Sequence, residues 1–283
     1  MRATARQAGW QAARQAWRRL EPVHSMIYFV PEGGRRYAEL GLHGMAGYFA
    51  SRGAVFGRAS AELVIATFYN FNPALVREAL PAAWDVVTPE QILDARRLAA
   101  GEALRRAGIH ELPGLDETLG LARRAAEAAA QNLHGRPLFA AHATLPWPDE
   151  PIDQLWHAQT LLREFRGDGH VAALTGEGVS GLEALVLHGA SGDVPAAFLK
   201  VSRAWPEEEW DATEERLRER GLLDGETLSA EGKALRQHIE DRTDALALPA
   251  YTALGEDGCE RLAELARPFG RGVVAAGLLN LGG

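Results

Sequence analysis

The stretch "REFRGDGHVAAL", residues 163–174, crowds Arg163, Glu164, Arg166, Asp168 and His170 around two glycines. A guanidinium presents a rigid fork of donors suited to a carboxylate or phosphate. A Gly-Asp-Gly turn breaks a helix and holds Asp168 and His170 in a fixed, non-helical geometry, with Asp168 capping a helix that starts near His170. Arg52, in "SRG", stands in a context that matches Arg166 in "FRG". The two arginines are expected to face one cavity. With Tyr69, Asn70, Trp147 and Trp156 nearby in the pattern, that cavity suits a flat or aromatic anion. It would admit a tetrapyrrole such as haem, although nothing in the residues calls for a cofactor.

The histidines His24, His43, His142, His157 and His170 form no HxxxH or HExxH pattern, and the Glu-x-x-His spacing of "EPVH" (21–24) lacks a matching second motif. No metal site is expected; His24 and His170 are the first candidates should one exist. His24, His157 and His170 are counted instead with the ligand-binding residues, beside Arg52, Tyr69, Asn70, Trp147, Arg166 and Asp168. No catalytic residue is assigned. "GVSGL" breaks the GxSxG pattern, and "GEGVSG" lacks the strand–turn–helix setting of a phosphate loop.

Composition narrows the classes. The chain has 283 residues, 47% apolar and 24% charged, enough for one large or two ordinary folded domains. A net charge of −8 argues against broad, charge-driven binding to phosphate backbones or anionic membranes. Cys259 is the lone cysteine, so no intrachain disulfide forms, and a reducing, cytoplasmic setting fits. No 18-residue apolar run exists to span a membrane. The basic N-terminus carries Trp10, Ala13, Trp17 and Leu20 at helical spacing, which predicts an amphipathic first helix docked on the body.

The same landmarks recur in the same order roughly 115 residues later. His24, "FVPE", His43, "SRG", "SAELV", Trp84, "PE" and "RRAG" are answered by His142, "PWPDE", His157, "FRG", "SGLEALV", Trp205, "PE" and "RERG". The reading is an internal duplication: two related helical lobes, 1–138 and 139–283, forming a pseudo-dimer in one chain. Helical signals dominate both halves. They are clearest at 89–108 (Thr88 cap, proline in the first turn, glycine stop), at 115–135, at 151–165, and at 180–188 behind a Ser cap. "SMIYFV" (25–30) and "LVIATFYNF" (63–71) are β-prone by residue type, or buried helix turns, and a small wing is expected near 224–228. The fold class is mostly α.

Residues 216–246, "RLRERGLLD…LSAEGKALRQHIEDRTDAL", resemble the helix, wing and helix that close a MarR-type winged helix. More widely, "EPVHSMIYFVPE", "GYFASRG", "TFYNFNP", "PWPDEP", "LWHAQTLLREFRGDGHVAAL" and "WPEEEW" resemble a family of high-GC bacteria labelled helix-turn-helix or MarR-like. The resemblance implies a winged-helix module at 180–247 and a small-molecule ligand between the lobes, as in a ligand-responsive transcriptional regulator. The alternative is a binding protein or enzyme on a winged-helix frame that has lost DNA contact. One departure bears on that choice. Segment 206–220 holds seven acids against three arginines, and the wing "DGETL" has no basic residue. DNA as a partner is therefore an open expectation, and the chain is read as a monomer or weak homodimer.

Overall fold

Helix boundaries follow capping chemistry in a computed structural model that describes residues 2–279, with side chains from Gln11 onward. The first three helices are α1 (Arg2–Ser25), α2 (Pro31–Glu39) and α3 (Gly44–Gly53). Ser60 caps α4 (Ala61–Phe68) by accepting from the Leu63 N–H at 3.2 Å, and Asn72 caps α5 (Pro73–Ala79) through Ala74 N–H at 2.9 Å. Thr88 and Gln91 form a reciprocal capping box on α6 (Pro89–Arg106). Helices α7 (Leu115–Ala129) and α8 (Pro137–His142) lead into α9 (Pro151–Gly176), the 26-residue spine of the molecule. Ser180 and Glu183 repeat the capping box on α10 (Gly181–Ala190). There follow α11 (Ala196–Arg203) and α12 (Glu207–Glu219), the two-residue strands β1 (Leu223–Asp224) and β2 (Thr227–Leu228), then α13 (Ala230–Ala247) and α14 (Gly255–Ala275). The mostly α class holds.

Apolar stripes assemble these helices around three cores. Ala12, Ala13, Ala16, Leu20 and Val23 of α1 lie against Leu262, Ala266, Phe269 and Val273 of α14, joined by buried positions of α7 and α9. The backbones approach so closely that a Cβ on Gly270 would overlap the Arg19 carbonyl. A second core joins α2–α5 to the start of α6, around Phe49, Val64, Phe71 and Trp84. The third holds the end of α9, α10–α12, the hairpin and α13 around Trp210 and Leu217. In that third unit α11 turns into α12 through Ala204, at φ 56°, and β1 pairs antiparallel with β2. This is a winged helix-turn-helix, with the wing where the sequence puts it.

Several expectations change. Of the two readings of the β-prone runs, the helix turn is the one found: 63–68 lies in α4, and Met26–Tyr28 is a single 3-10 turn after α1. Burial and the Ser60 cap outweigh residue-type preference there. "GDG" does not break a helix; Gly167, Asp168 and Gly169 lie mid-α9. Gly169 is small because a Cβ there would press on the Arg136 guanidinium and Leu246, each 3.1 Å away. Asp168 does cap a helix, but it is α8, through the Phe139 N–H at 2.8 Å. The first core takes helices from both ends of the chain, so residue 138 does not divide one core from another. Landmark pairs agree at helix ends: Ser60 and Ser180 both cap, and Gly108 and Gly221 both take positive φ after α6 and α12. They differ at the arginines, Arg52 closing α3 while Arg166 sits mid-α9. The side chain of Trp10 and residues 280–283 of the apolar tail lie outside the described residues.

Candidate functional site

A cleft of about 410 Å³ lies where the winged module meets the body. Its walls come from α1 (Trp17), the α4–α5 junction (Tyr69, Asn70), α9 (His170), α10 (His188) and α13 (Arg236). The junction is built as a clamp between the two units. Tyr69 adopts φ 60° and ψ −51°, a positive-φ conformation that costs a non-glycine residue energy. Its phenol donates to the Val179 carbonyl at 2.5 Å, and its own carbonyl lies where a Cβ on residue 181 would sit, so position 181 is glycine. Trp205 Nε1 donates to the Asn70 carbonyl at 2.9 Å, and Asn72 N–H to the Arg203 carbonyl at 3.0 Å.

The electrostatics of the cleft are set by burial. His170 Nδ1 lies 2.9 Å from Thr243 Oγ1, which itself donates to the Ile239 carbonyl, so His170 carries its proton on Nδ1 and Nε2 is the acceptor. Burial lowers the pKa of His170 and of His188, keeping both neutral at pH 7. Trp17 Nε1 is buried with no partner among the described residues. Arg236 pairs with Asp193 at 3.1 Å, whereas Arg18 has no carboxylate partner among the described residues. The cleft thus offers a guanidinium with no carboxylate partner among the described residues and neutral imidazoles.

Arg166 does not share this cavity with Arg52. It pairs with Glu240 at 2.9 Å and Asp244 at 2.8 Å, and Arg14 joins the same two carboxylates, so the four side chains tie α1 and α9 to α13. Its guanidinium stacks on Trp17 at 4.4 Å. Arg52 lies with its guanidinium 4.0 Å over the Phe68 ring, donates to Tyr48 Oη at 2.9 Å, and stands 3.9 Å from Glu164.

His24 belongs with Arg52, in an interior basin centred on Tyr28. The guanidinium carbons of Arg52, Arg96 and Arg163 lie 5.5, 5.3 and 5.4 Å from the Tyr28 ring centroid. Thr160 Oγ1 donates to the Trp156 carbonyl, so it accepts from His24 Nδ1 at 2.8 Å. His24 Nε2 then accepts from Tyr28 Oη at 3.0 Å, and that oxygen accepts from Arg96 at 3.3 Å. The His24 ring stacks on Trp156 with centroids 5.6 Å apart. Burial, then Arg96, holds the pKa of both His24 and His142 well below the usual histidine range.

The other expected site residues stand apart. Trp147 packs edge-on against His157 at 4.8 Å, with Arg123 over the indole, and burial lowers the His157 pKa to about 4. Asp168 is occupied by its cap on α8, and burial pushes its pKa up to about 7. Of the nine residues, Tyr69, Asn70 and His170 meet in the cleft, His24 and Arg52 in the basin, and the remaining four in neither. Trp17, Tyr28, Tyr48, Arg96 and Arg203 escaped sequence reasoning. Arg96 left a trace, standing in line with the buried face of α6 that Ile92, Ala95, Ala99 and Ala103 mark.

Helix α12 occupies the place of a recognition helix. Trp210, Thr213 and Leu217 point inward, leaving Glu208, Asp211, Glu215 and Glu219 along the outer face. Its arginines are spent locally: Arg216 on Thr213, Arg218 on Glu214 and Glu215, Arg220 on Glu183. The carboxylates of its first turn suit the helix dipole but repel phosphate. Among the described residues no helix is long and apolar enough to cross a membrane, and no group of three His, Cys, Asp or Glu residues could hold a metal ion.

Against known proteins, a profile described as a helix-turn-helix family matches residues 13–280. No curated protein and no solved structure matches the chain.

Proposed function

Since the chain belongs to a helix-turn-helix family along nearly its whole length, we propose that it is a ligand-responsive regulator that takes a small, flat, anionic or aromatic molecule into its 410 Å³ cleft. The family supports a role of the DNA-binding regulator kind. The finer reading rests on one observation: the cleft wall is shared between the winged module and the body. A molecule touching His188 and Arg236 on one side and Trp17, Tyr69 and Asn70 on the other has different contacts whenever the module shifts, which is the differential affinity a switch requires. Arg18, exposed on the cleft wall and without a carboxylate partner among the described residues, supplies a donor to an anion. Kinship between the halves, supported by the matching caps at Ser60 and Ser180, would place this cleft between two descendants of one unit.

The acidic outer face of α12 favours a second reading, in which the module reports ligand state without entering a major groove. Two measurements separate these readings. Thermal-shift screening of aromatic carboxylates should find stabilising ligands, and Ala184→Trp, which fills the cleft, should abolish the effect; ligands acting equally on this variant would show that they bind elsewhere. Mobility shift against genomic fragments at low salt should then show ligand-sensitive retention for the regulator, and none for the second reading.

A further inference from the structure

Arg96 is a cation that the fold buries and does not neutralise. It is 3% exposed, has no carboxylate partner among the described residues, and its Nε has no acceptor. Glu21 pairs with Arg163 instead, and Glu164 stands 3.9 Å from both Arg52 and Arg163. Arg52, which lies over the same Tyr28 ring, is of the same sign as Arg96. The terminal nitrogens of Arg96 make two long bonds, 3.3 Å to Tyr28 Oη and 3.5 Å to Ser51 Oγ. Each keeps a second N–H without an acceptor among the described residues. A buried charge in this state is costly unless a counter-charge arrives. Tyr28 supplies none, because burial raises its pKa and its proton is used on His24. Contact with the Tyr28 and Trp156 rings offsets part of the cost but brings no negative charge.

That unsatisfied group lies at the floor of a pocket. A cavity of about 260 Å³ opens beneath α2 and α3, with the exposed Gly34 and Gly44 at its rim. Among the described residues, Arg96 is the one charged side chain in its lining. Tyr28 and Ser51, which meet the two terminal nitrogens, line it as well, so the guanidinium end stands at the cavity wall. Ile27, Leu42 and Met45 give it an apolar side, and no lining residue is shared with the 410 Å³ cleft. We propose that this pocket is a second binding site, separate from the cleft, for a small monocarboxylic acid: its carboxylate accepts from the remaining N–H groups of Arg96, and its alkyl or aryl body lies against Ile27, Leu42 and Met45. One unpaired guanidinium matches one negative charge, and two donors on one fork match the two oxygens of a carboxylate. The volume is below that of drug-sized pockets, which limits the body to a short chain or a single ring. Such an acid is ionised at pH 7.

Titration calorimetry on the full chain, at pH 7 and constant ionic strength, tests this with hexanoate, 1-hexanol and hexylamine, which share a chain and differ in charge. Hexanoate should bind one per chain, 1-hexanol at least about tenfold more weakly, and hexylamine not at all. Arg96→Gln should bring hexanoate down to the affinity of 1-hexanol and leave 1-hexanol unchanged, a split that loss of packing alone would not produce. Gly34→Trp places an indole at the pocket rim, where an added Cβ meets nothing within 4 Å, and should weaken hexanoate about tenfold. Ala184→Trp, in the other cleft, should leave hexanoate unchanged. The assignment fails if hexanoate does not bind, if 1-hexanol or hexylamine matches it, or if Gly34→Trp binds it as tightly as the parent. It also fails if Ala184→Trp abolishes binding, a result that puts the acid in the cleft and leaves the regulator reading standing. Because Gly34 is exposed and outside the core, Gly34→Trp remains the deciding variant should Arg96→Gln fail to fold.

Discussion

Single side chains in this protein are governed by burial more than by pairing. His24, His142 and His157 are held neutral in the fold, their pKa values lowered by desolvation, with His157 at about 4. In the unfolded chain each binds a proton below about 6.5, so the unfolded state takes up more protons and stability falls as the pH drops through that value. Asp168 works the other way. Its folded pKa of about 7 exceeds that of a free carboxyl, so between about 4 and 7 the folded state holds the extra proton and stability falls as the pH rises. Urea titrations from pH 4 to 8 should therefore show stability rising with pH, a slope that His157→Gln flattens and Asp168→Asn steepens. An unchanged slope in both variants would show that neither group titrates differently in the folded state. The residue types were legible in the chain; their environments were not. Arg52 and Arg166 stand in matching local sequence, yet one lies over Phe68 and the other is locked to Glu240 and Asp244, because the neighbours that decide this come from distant helices.

At the scale of elements, caps carried most of the readable information. Thr88 and Ser180 mark helix starts that the structure reproduces, because a capping side chain acts on backbone donors two or three residues away. Thr88→Ala should cost about 1 kcal/mol in chemical denaturation, with little change in the rest of the fold. Glycine misled where it answers to packing across helices. The Gly167–Gly169 stretch looked like a turn and is continuous helix, with Gly169 the narrow point of α9 against Arg136 and Leu246. Gly270 plays the same part between α1 and α14, and Gly270→Ala should destabilise by about 1–3 kcal/mol, since the added methyl meets the Arg19 carbonyl rather than a movable side chain. A loss below the detection limit of the denaturation curve would show that the two helices can separate freely.

For the whole molecule, the distribution of charge is the property with the widest consequence. The winged module presents Glu208, Asp211, Glu215 and Glu219 outward, while Arg96, without a carboxylate partner among the described residues, lies in the interior. Substituting Glu208→Lys, Asp211→Lys and Glu215→Lys together touches no buried side chain, so the melting temperature should stay within a few degrees of the parent. The triple variant should gain retention on DNA that fades steeply with added salt, as counterion release demands. If the parent already binds as tightly and with the same salt slope, the acidic face is not what limits contact.

By itself the sequence determined the helical class, the winged hairpin near 224–228 and the negative sign of the module's outer helix. Each of these depends on interactions within a few residues or on a simple sum of charges. Tertiary structure alone decided that α1 and α14 close one core from opposite ends of the chain, and that Tyr69, Asn70 and His170 meet in a cleft away from Arg52. It also decided that Tyr28 gathers three guanidinium groups from α3, α6 and α9. Those outcomes rest on which helix faces pack together across more than a hundred residues, and spacing along the chain carries no record of that choice.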